Sequence, residues 1–388
     1  MRKLLLAITA LLGLTGLARA DEVRGVTDSE IVIGTYTDLS GVTAVWGVPN
    51  SNAIRMAFDE VNAKGGIHGR KIRYIVEDNQ YQVPRSVQAA NKLVNRDNAF
   101  LLLANDGTPM NNAVLPMQLE KNVPNIFPLT AARSMYEPFN RLKFGQFASY
   151  YDQMRAGVRY MVEKEGKTRL CAMYVDSDFG RDVMAGVYDE MKALGKTLVA
   201  ETTHKPTDTD FAASVARIRD ANCDVVLLGT LTRDTNLIVA AIRKAGWDVP
   251  LLGQSAITDQ AVADVPGNAN EGLRAMTPSL YAYPDDSRAA VRAFAKDYRE
   301  RYGRDPNYAA EVGYTAAQVL LEALDRAGPA LNVDSFIKGM ESIKDYRDIF
   351  GAPAMTFGPD QRHGTTQSYM IVVHDGKWKP MMDQPIGY

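Results

Sequence analysis

The sequence predicts an α/β protein of two doubly wound parallel-sheet lobes joined by a hinge that the chain crosses several times. Three observations carry that reading. Short β-rich runs alternate with helical ones from residue 31, the series restarts near residue 169, and a run of helices without strands precedes a final hairpin. Alternating β and α units build parallel sheets with helices on both faces.

In the first series, "IVIGTYTD" reads as a strand, and the helix after it places Ala53, Ile54, Ala57, Phe58 and Val61 on one face. "KIRYIVED" is the next strand, followed by a helix from Pro84, a residue suited to a first turn, to about Asn95. The continuous apolar run "FLLLA" fits a strand buried on both faces. A helix over Asn111 to Glu120 and the strand "NIFPL" complete this half. The second series runs "RLCAMYVD", a helix from about Gly180, "TLVAETTH", the helix "FAASVARIRDA", "DVVLLGT", the helix "DTNLIVAAIRKAG" and "PLLGQ". A further strand, "LRAMTPSLYAY", leads to helices at about 286–301 and 308–327. The tail "SYMIVVHDGKWKPM" reads as a hairpin turning at Asp375-Gly376. Helices that follow one another without strands make sense if the chain returns to the first lobe and crosses again near Ile349 to Pro353. The expected division is 21–147 with 282–350 for the N-terminal lobe, and 148–281 with 351–388 for the C-terminal lobe.

Residues 1–20 read as a cleaved signal peptide, with Arg2 and Lys3, an apolar stretch from Leu4 to Leu17, and Ala18-Arg19-Ala20 as the cleavage site. Of 44 basic and 46 acidic residues this segment carries three basic and no acidic ones, so the mature balance is 41 to 46, a formal charge of about −5. Such a balance argues against nucleic acid or an anionic membrane as partner. No later apolar run reaches the length of a membrane span. An exported chain permits a disulfide, yet Cys171 and Cys223, both at or beside strands, are expected as buried free thiols.

Motifs for chemistry are missing. There is no G-x-G-x-x-G and no G-x-x-x-x-G-K-[ST], and "GGIHG" precedes a strand where a dinucleotide fingerprint would follow one. "GQSAI" lacks the last glycine of a nucleophile elbow, and the four histidines lie far apart without metal-ligand spacing. No catalytic residue, cofactor or metal is therefore expected.

"IVIGTYTDLSG", "VWG", "FDEVNAKGGIHGRKI", "EDNQYQVPRSVQAANKLVNRDN", "SDFG", "DFAASVARIRDANCDVVLLG" and "AIRKAGW", in this order and over nearly the whole mature chain, resemble the periplasmic solute-binding proteins of ABC importers for branched-chain amino acids. The resemblance implies the type I two-lobe fold with three crossings, ligand capture without catalysis, and delivery to an ABC permease and its ATPase subunits, with the protein itself a monomer. It also implies a site. Trp46, on the loop Ser40 to Gly47, stands where the family covers its ligand with an aromatic ring. Asn105, Asp106, Gly107 and Thr108 form a loop at a helix N-terminus that holds a ligand carboxylate, and Leu129 with Thr130 forms a second such loop. Phe179, Thr230 and Ser255 come from the other lobe, and Tyr151 and Tyr281 from the crossings, where Tyr150 also lies.

Ser255 departs from the family, which commonly has an acid there for the ligand ammonium. Either Asp106, Asp176 or another acid substitutes, or the ligand lacks an ammonium. The expected ligand is accordingly a branched-chain or apolar amino acid, or alternatively an aromatic or 2-oxo carboxylate. A sensor module feeding a receptor and an exported hydrolase are the rival classes.

Overall fold

The computed structural model describes residues 23–388; the signal peptide expected at 1–20 lies outside the described residues. Two sheets form the frame. The first is wholly parallel, in the order β2-β1-β3-β4-β5, from β1 (Glu30–Thr37), β2 (Lys71–Asp78), β3 (Leu101–Leu103), β4 (Asn125–Ile126) and β5 (Lys143–Phe144). Helices α1 (Ala44–Ala63), α2 (Val83–Asn95) and α3 (Thr108–Glu120) connect its strands. β1 is buried along nearly its whole length and β3 entirely, as both-face coverage by helices requires.

The second sheet has the order β12-β11-β10-β9-β8-β6-β7. Its parallel part comprises β6 (Leu170–Val175), β7 (Ala200–His204), β8 (Val225–Gly229), β9 (Leu251–Gly253) and β10 (Arg274–Thr277). α4 (Tyr150–Glu163), α5 (Asp178–Ala193), α6 (Ala212–Asp220), α7 (Thr232–Lys244) and the short α8 (Gln260–Ala263) accompany it. The hairpin β11 (Tyr369–His374) and β12 (Lys377–Pro380) is added antiparallel to the β10 edge. Its turn residues Asp375 and Gly376 both have positive φ, 53° and 69°, the geometry an Asp-Gly turn supplies.

Between β10 and β11 the chain goes back. There α9 (Ala289–Tyr302), α10 (Tyr308–Ala327) and α11 (Val333–Glu341) follow; α10 and α11 pack on the first sheet, and α9 packs against α1 and α10. Leu320, Leu324 and Phe336 share a core with Ile33, Leu101 and Phe144, and Met355 and Phe357 still belong to it. The chain thus passes between the sheets after β5, after β10 and before β11. The first and last passages run side by side, where the Gly145 N–H donates to the Arg362 carbonyl at 2.7 Å.

Two expectations are corrected. Cys171 and Cys223 are not free thiols but form a disulfide, with Cα atoms 5.8 Å apart. Cys171 lies on β6 and Cys223 just before β8, and pairing of these two strands brings the cysteines to bridging distance. The loop expected over Ser40 to Gly47 also ends early, because α1 begins at Ala44. The Asp38 carboxylate gathers the N–H groups of Ser40, Gly41 and Thr43 and completes the turn before Ala44, so Trp46 stands in the first helical turn.

Candidate functional site

Loops that follow the carboxyl ends of strands from both sheets converge on one cavity, as open α/β sheets dictate for ligand sites. Its free interior is about 80 Å³. One water needs roughly 10–15 Å³ by this measure, so the space suits a ligand of several heavy atoms, not a peptide.

The first sheet supplies a polar floor. After β3, Gly107 has φ +85°, and a Cβ on it would come within 2.7 Å of Met110 Cε and 2.8 Å of Tyr81 Cε2. Glycine is therefore required where the backbone turns into α3. That helix starts at Thr108, not near Asn111, because Pro109 fits the first turn, and no side chain caps it. Its first amides stay available to an anion, with the positive end of the helix dipole behind them. Thr108 Oγ1 and Thr130 Oγ1 lie 2.7 Å apart beside them, one hydroxyl from each of two neighbouring loops. Asp106 is 4% exposed, and its Oδ2 lies 3.0 Å from Thr43 Oγ1.

The second sheet supplies a mostly apolar roof. Phe179, at the start of α5, is 2% exposed and meets Tyr150 edge-on at 5.0 Å between ring centroids. Ser255 sits after β9, its N–H donating to Gln153 Oε1 at 2.8 Å. Trp46 spans the two sides: its ring packs against Tyr308 at 5.9 Å while Nε1 donates to Thr232 Oγ1 at 3.1 Å. Asn112 Nδ2 to Asp178 Oδ2 at 2.9 Å and Arg133 N to Asp182 Oδ1 at 3.2 Å also join the two halves, so the lobes are closed on one another.

Of the residues expected from the sequence, Trp46, Asp106, Gly107, Thr108, Leu129, Thr130, Phe179 and Ser255 come together around the cavity. The others lie elsewhere. Asn105 is wholly buried beneath the loop, accepting from Tyr36 N and donating to Asn125 Oδ1. Thr230 exchanges a hydrogen bond with Thr235 inside the second lobe. Tyr151 faces outward, with its hydroxyl on Asp189 and the Arg133 guanidinium over its ring at 3.9 Å. Tyr281 stacks on Tyr283 at 4.6 Å in the passage after β10.

The lining also contains Thr43, Tyr81, Tyr136, Gln146 and Tyr308, which sequence reasoning missed, and Tyr150, which it noted only as a crossing residue. Gln146 lies in the first passage and could have been sought there. Tyr308 lies at the start of α10, more than 250 residues from the Trp46 it touches, and nothing local marks it.

Among the described residues Asp106 is the only carboxylic side chain in the lining, and no lysine, arginine or histidine joins it. Burial pushes its carboxyl up to about 7, with the nearby negative Asp38 adding to the shift. Asp176, the other acid considered, is paired with Arg181 on the surface instead. Burial likewise raises the Tyr150 hydroxyl to about 12, so it stays a proton donor at neutral pH.

Residues 30–377 match the family model described as periplasmic binding protein. Over 338 residues the chain is 24% identical to the Leu/Ile/Val/Thr-binding protein of Salmonella typhimurium, covering 87% of this chain and 89% of that one. Among solved structures, a fatty acid ABC transporter substrate-binding protein from Thermomonospora curvata superposes with a TM-score of 0.84 at 25% identity, covering 95% of each chain. A branched chain amino acid ABC transporter from Thermus thermophilus with bound valine gives 0.83 at 18% identity, over 93% of this chain and 97% of that one, a likeness of fold.

Proposed function

Since the chain belongs to the periplasmic binding protein family, we propose that it captures a small carboxylate-bearing ligand, foremost an apolar or branched-chain amino acid, and delivers it to the permease of an ABC importer. The observation that carries this reading is the uncapped N-terminus of α3, with the Thr108 and Thr130 hydroxyls beside it, inside a cavity shared by two sheets. A carboxylate seated there would accept from main-chain amides and hydroxyls without a basic residue, in the manner of anions at helix N-termini. Trp46 and Phe179 would cover the apolar part of the ligand. The name of the Salmonella relative, a Leu/Ile/Val/Thr-binding protein, supports an amino acid.

In this reading residues 1–20 direct export and are removed, and the mature monomer works in the periplasm by binding, not by turnover. The lobes divide at the three passages, which act as the hinge for opening. The permease and its ATPase subunits are the macromolecular partners, recognising the closed pair of lobes.

A second ligand class, aromatic or 2-oxo carboxylates, is favoured by Ser255, which puts no charge near a ligand ammonium from the second lobe. Calorimetry with leucine, phenylpyruvate and 4-hydroxybenzoate separates the two, with leucine expected to bind. Small-angle scattering should show the protein compacting on binding. Absence of compaction and of heat with every carboxylate tried would refute the proposal.

A further inference from the structure

The protons available around Thr43 fix the state of the carboxyl group that lines the cavity. Thr43 Oγ1 lies 2.9 Å from Asp38 Oδ2 and 3.0 Å from Asp106 Oδ2. A hydroxyl carries a single proton, so it can donate to only one of two carboxyl groups. Whichever carboxyl takes the Thr43 proton, the other contact needs a second one, and Asp38 is the carboxyl already supplied with donors, the N–H groups of Ser40, Gly41 and Thr43. The remaining contact is a hydrogen bond only if Asp106 holds a proton and donates it to Thr43 Oγ1. With Asp106 ionised, two oxygens would face each other through lone pairs.

The surroundings agree. Asp106 is nearly inaccessible, and the titratable groups facing it are Asp38 from the loop before α1, Tyr36 from β1, Tyr81 from the loop after β2 and Tyr150 from α4. All are acids and none supplies a positive charge. Burial, and to a lesser extent the Asp38 charge, outweigh the Thr43 hydroxyl and the Asp38 N–H, which favour the ionised form, and push the Asp106 carboxyl up to about 7.

We propose that Asp106 carries a proton in the free protein and becomes the counter-charge of a ligand ammonium, so that capture of an α-amino acid expels a proton to solvent. The inference rests on the carboxylate clamp proposed above and names the ligand class within it. The Gly107 N–H is taken by the Leu129 carbonyl at 3.3 Å, so the donors of that clamp begin two residues after Asp106, at Thr108. An α-amino acid holds its ammonium and carboxylate one carbon apart, and so presents both to neighbouring positions of that loop. The step balances: Asp106 loses its proton to water, the ligand keeps its ammonium proton, and the new pair is neutral. Fatty acids and 2-oxo acids, which have no ammonium, leave Asp106 protonated. The chain thereby replaces the acid missing at Ser255 with one from the opposite lobe.

L-Leucine and 4-methylpentanoate differ only in the amino group, which makes them the probes. Titration calorimetry of the native protein in phosphate and in Tris reads the proton. Leucine should release about half a proton per site at pH 7 and nearly one a unit lower. Its apparent affinity should rise as pH is raised through 7. 4-Methylpentanoate should bind at least about 10-fold more weakly, since no charge pair forms with Asp106, and should release no proton. Asp106→Asn should weaken leucine on the order of 100-fold, the loss expected when one member of a buried charge pair is removed. The same variant should abolish the buffer dependence and keep its grip on 4-methylpentanoate, which shows that it is folded.

Three results overturn the inference while sparing the clamp: 4-methylpentanoate binding as tightly as leucine, leucine binding with no proton release, or Asp106→Asn retaining native leucine affinity. Heat with neither probe, in native protein and variant alike, overturns the clamp and this inference together.

Discussion

Trp46 is where closure of the cleft can be weighed. Its indole N–H reaches across to Thr232 Oγ1 at 3.1 Å, from α1 on one sheet to the first residue of α7 on the other. Trp46→Phe keeps a ring against Tyr308 and deletes only the donor and part of the apolar face. A neutral hydrogen bond contributes about 1 kcal/mol net, so the closed-to-open ratio should fall about 5-fold, and ligand affinity with it. Because the substitution also trims packing area, the bond itself is isolated by a double-mutant cycle with Thr232→Val. Calorimetric dissociation constants for the four proteins should give a coupling of about 1 kcal/mol, while scattering of the free protein shifts towards an expanded form. A coupling within about 0.3 kcal/mol of zero would mean that the bond adds nothing to closure.

Three other outcomes follow from named contacts. Opening the Cys171–Cys223 bridge frees a loop of 52 residues, for which loop-closure entropy predicts a loss of about 4 kcal/mol. Urea unfolding of the oxidised protein against Cys171→Ala/Cys223→Ala measures it, and a loss under about 1 kcal/mol would refute the entropic estimate. Gly107→Ala forces a side chain onto φ +85° and against Met110 and Tyr81, so stability should drop by about 1–3 kcal/mol and ligand affinity with it; an unchanged melting curve contradicts the strain. Glu311, wholly buried in α10 with Oε1 accepting from Ala282 N, is held well above the usual carboxylate range by burial. The folded state keeps a proton that the unfolded chain releases above about pH 4.5, so this residue makes stability fall as pH rises. Glu311→Gln should flatten that fall between about pH 5 and 8, and equal slopes in variant and native protein would refute it.

The frame of the fold was legible because its signals are local. "FLLLA" announces a strand covered on both faces, and Asp375-Gly376 announces a hairpin. Weaker elements left no such trace: β5 is a two-residue strand held by its neighbour β4, and α4 follows a passage that reads only as a crossing. The disulfide escaped for a related reason. It depends on β8 lying beside β6 with β7 pushed to the edge, an adjacency that the order of strands along the chain does not state.

The site divides along the same line. Residues three to five positions beyond a strand end, such as Asp106, Thr108 and Phe179, could be named because open sheets bind ligands there. Asn105 and Thr230 sit closer still to strand ends, yet each turns into its own lobe and is spent on internal hydrogen bonds. For Asn105 that turn is fixed by Tyr36 and Asn125, distant in sequence, and so is the arrival of Tyr308 at Trp46.

The interleaved path of the chain has a consequence for assembly. A ribosome emits the parallel strands of the first sheet long before α10 and α11, which cover it, and emits β10 long before β11, its antiparallel neighbour. Until about residue 357 is available the first core is open on one side, and until residues 369–380 arrive the β10 edge is bare. A nascent chain therefore carries two unfinished sheets at once, each with apolar surface or an unpaired strand to hide. Loss of the last twenty residues would leave the ligand loops intact and still favour edge-to-edge aggregation through β10.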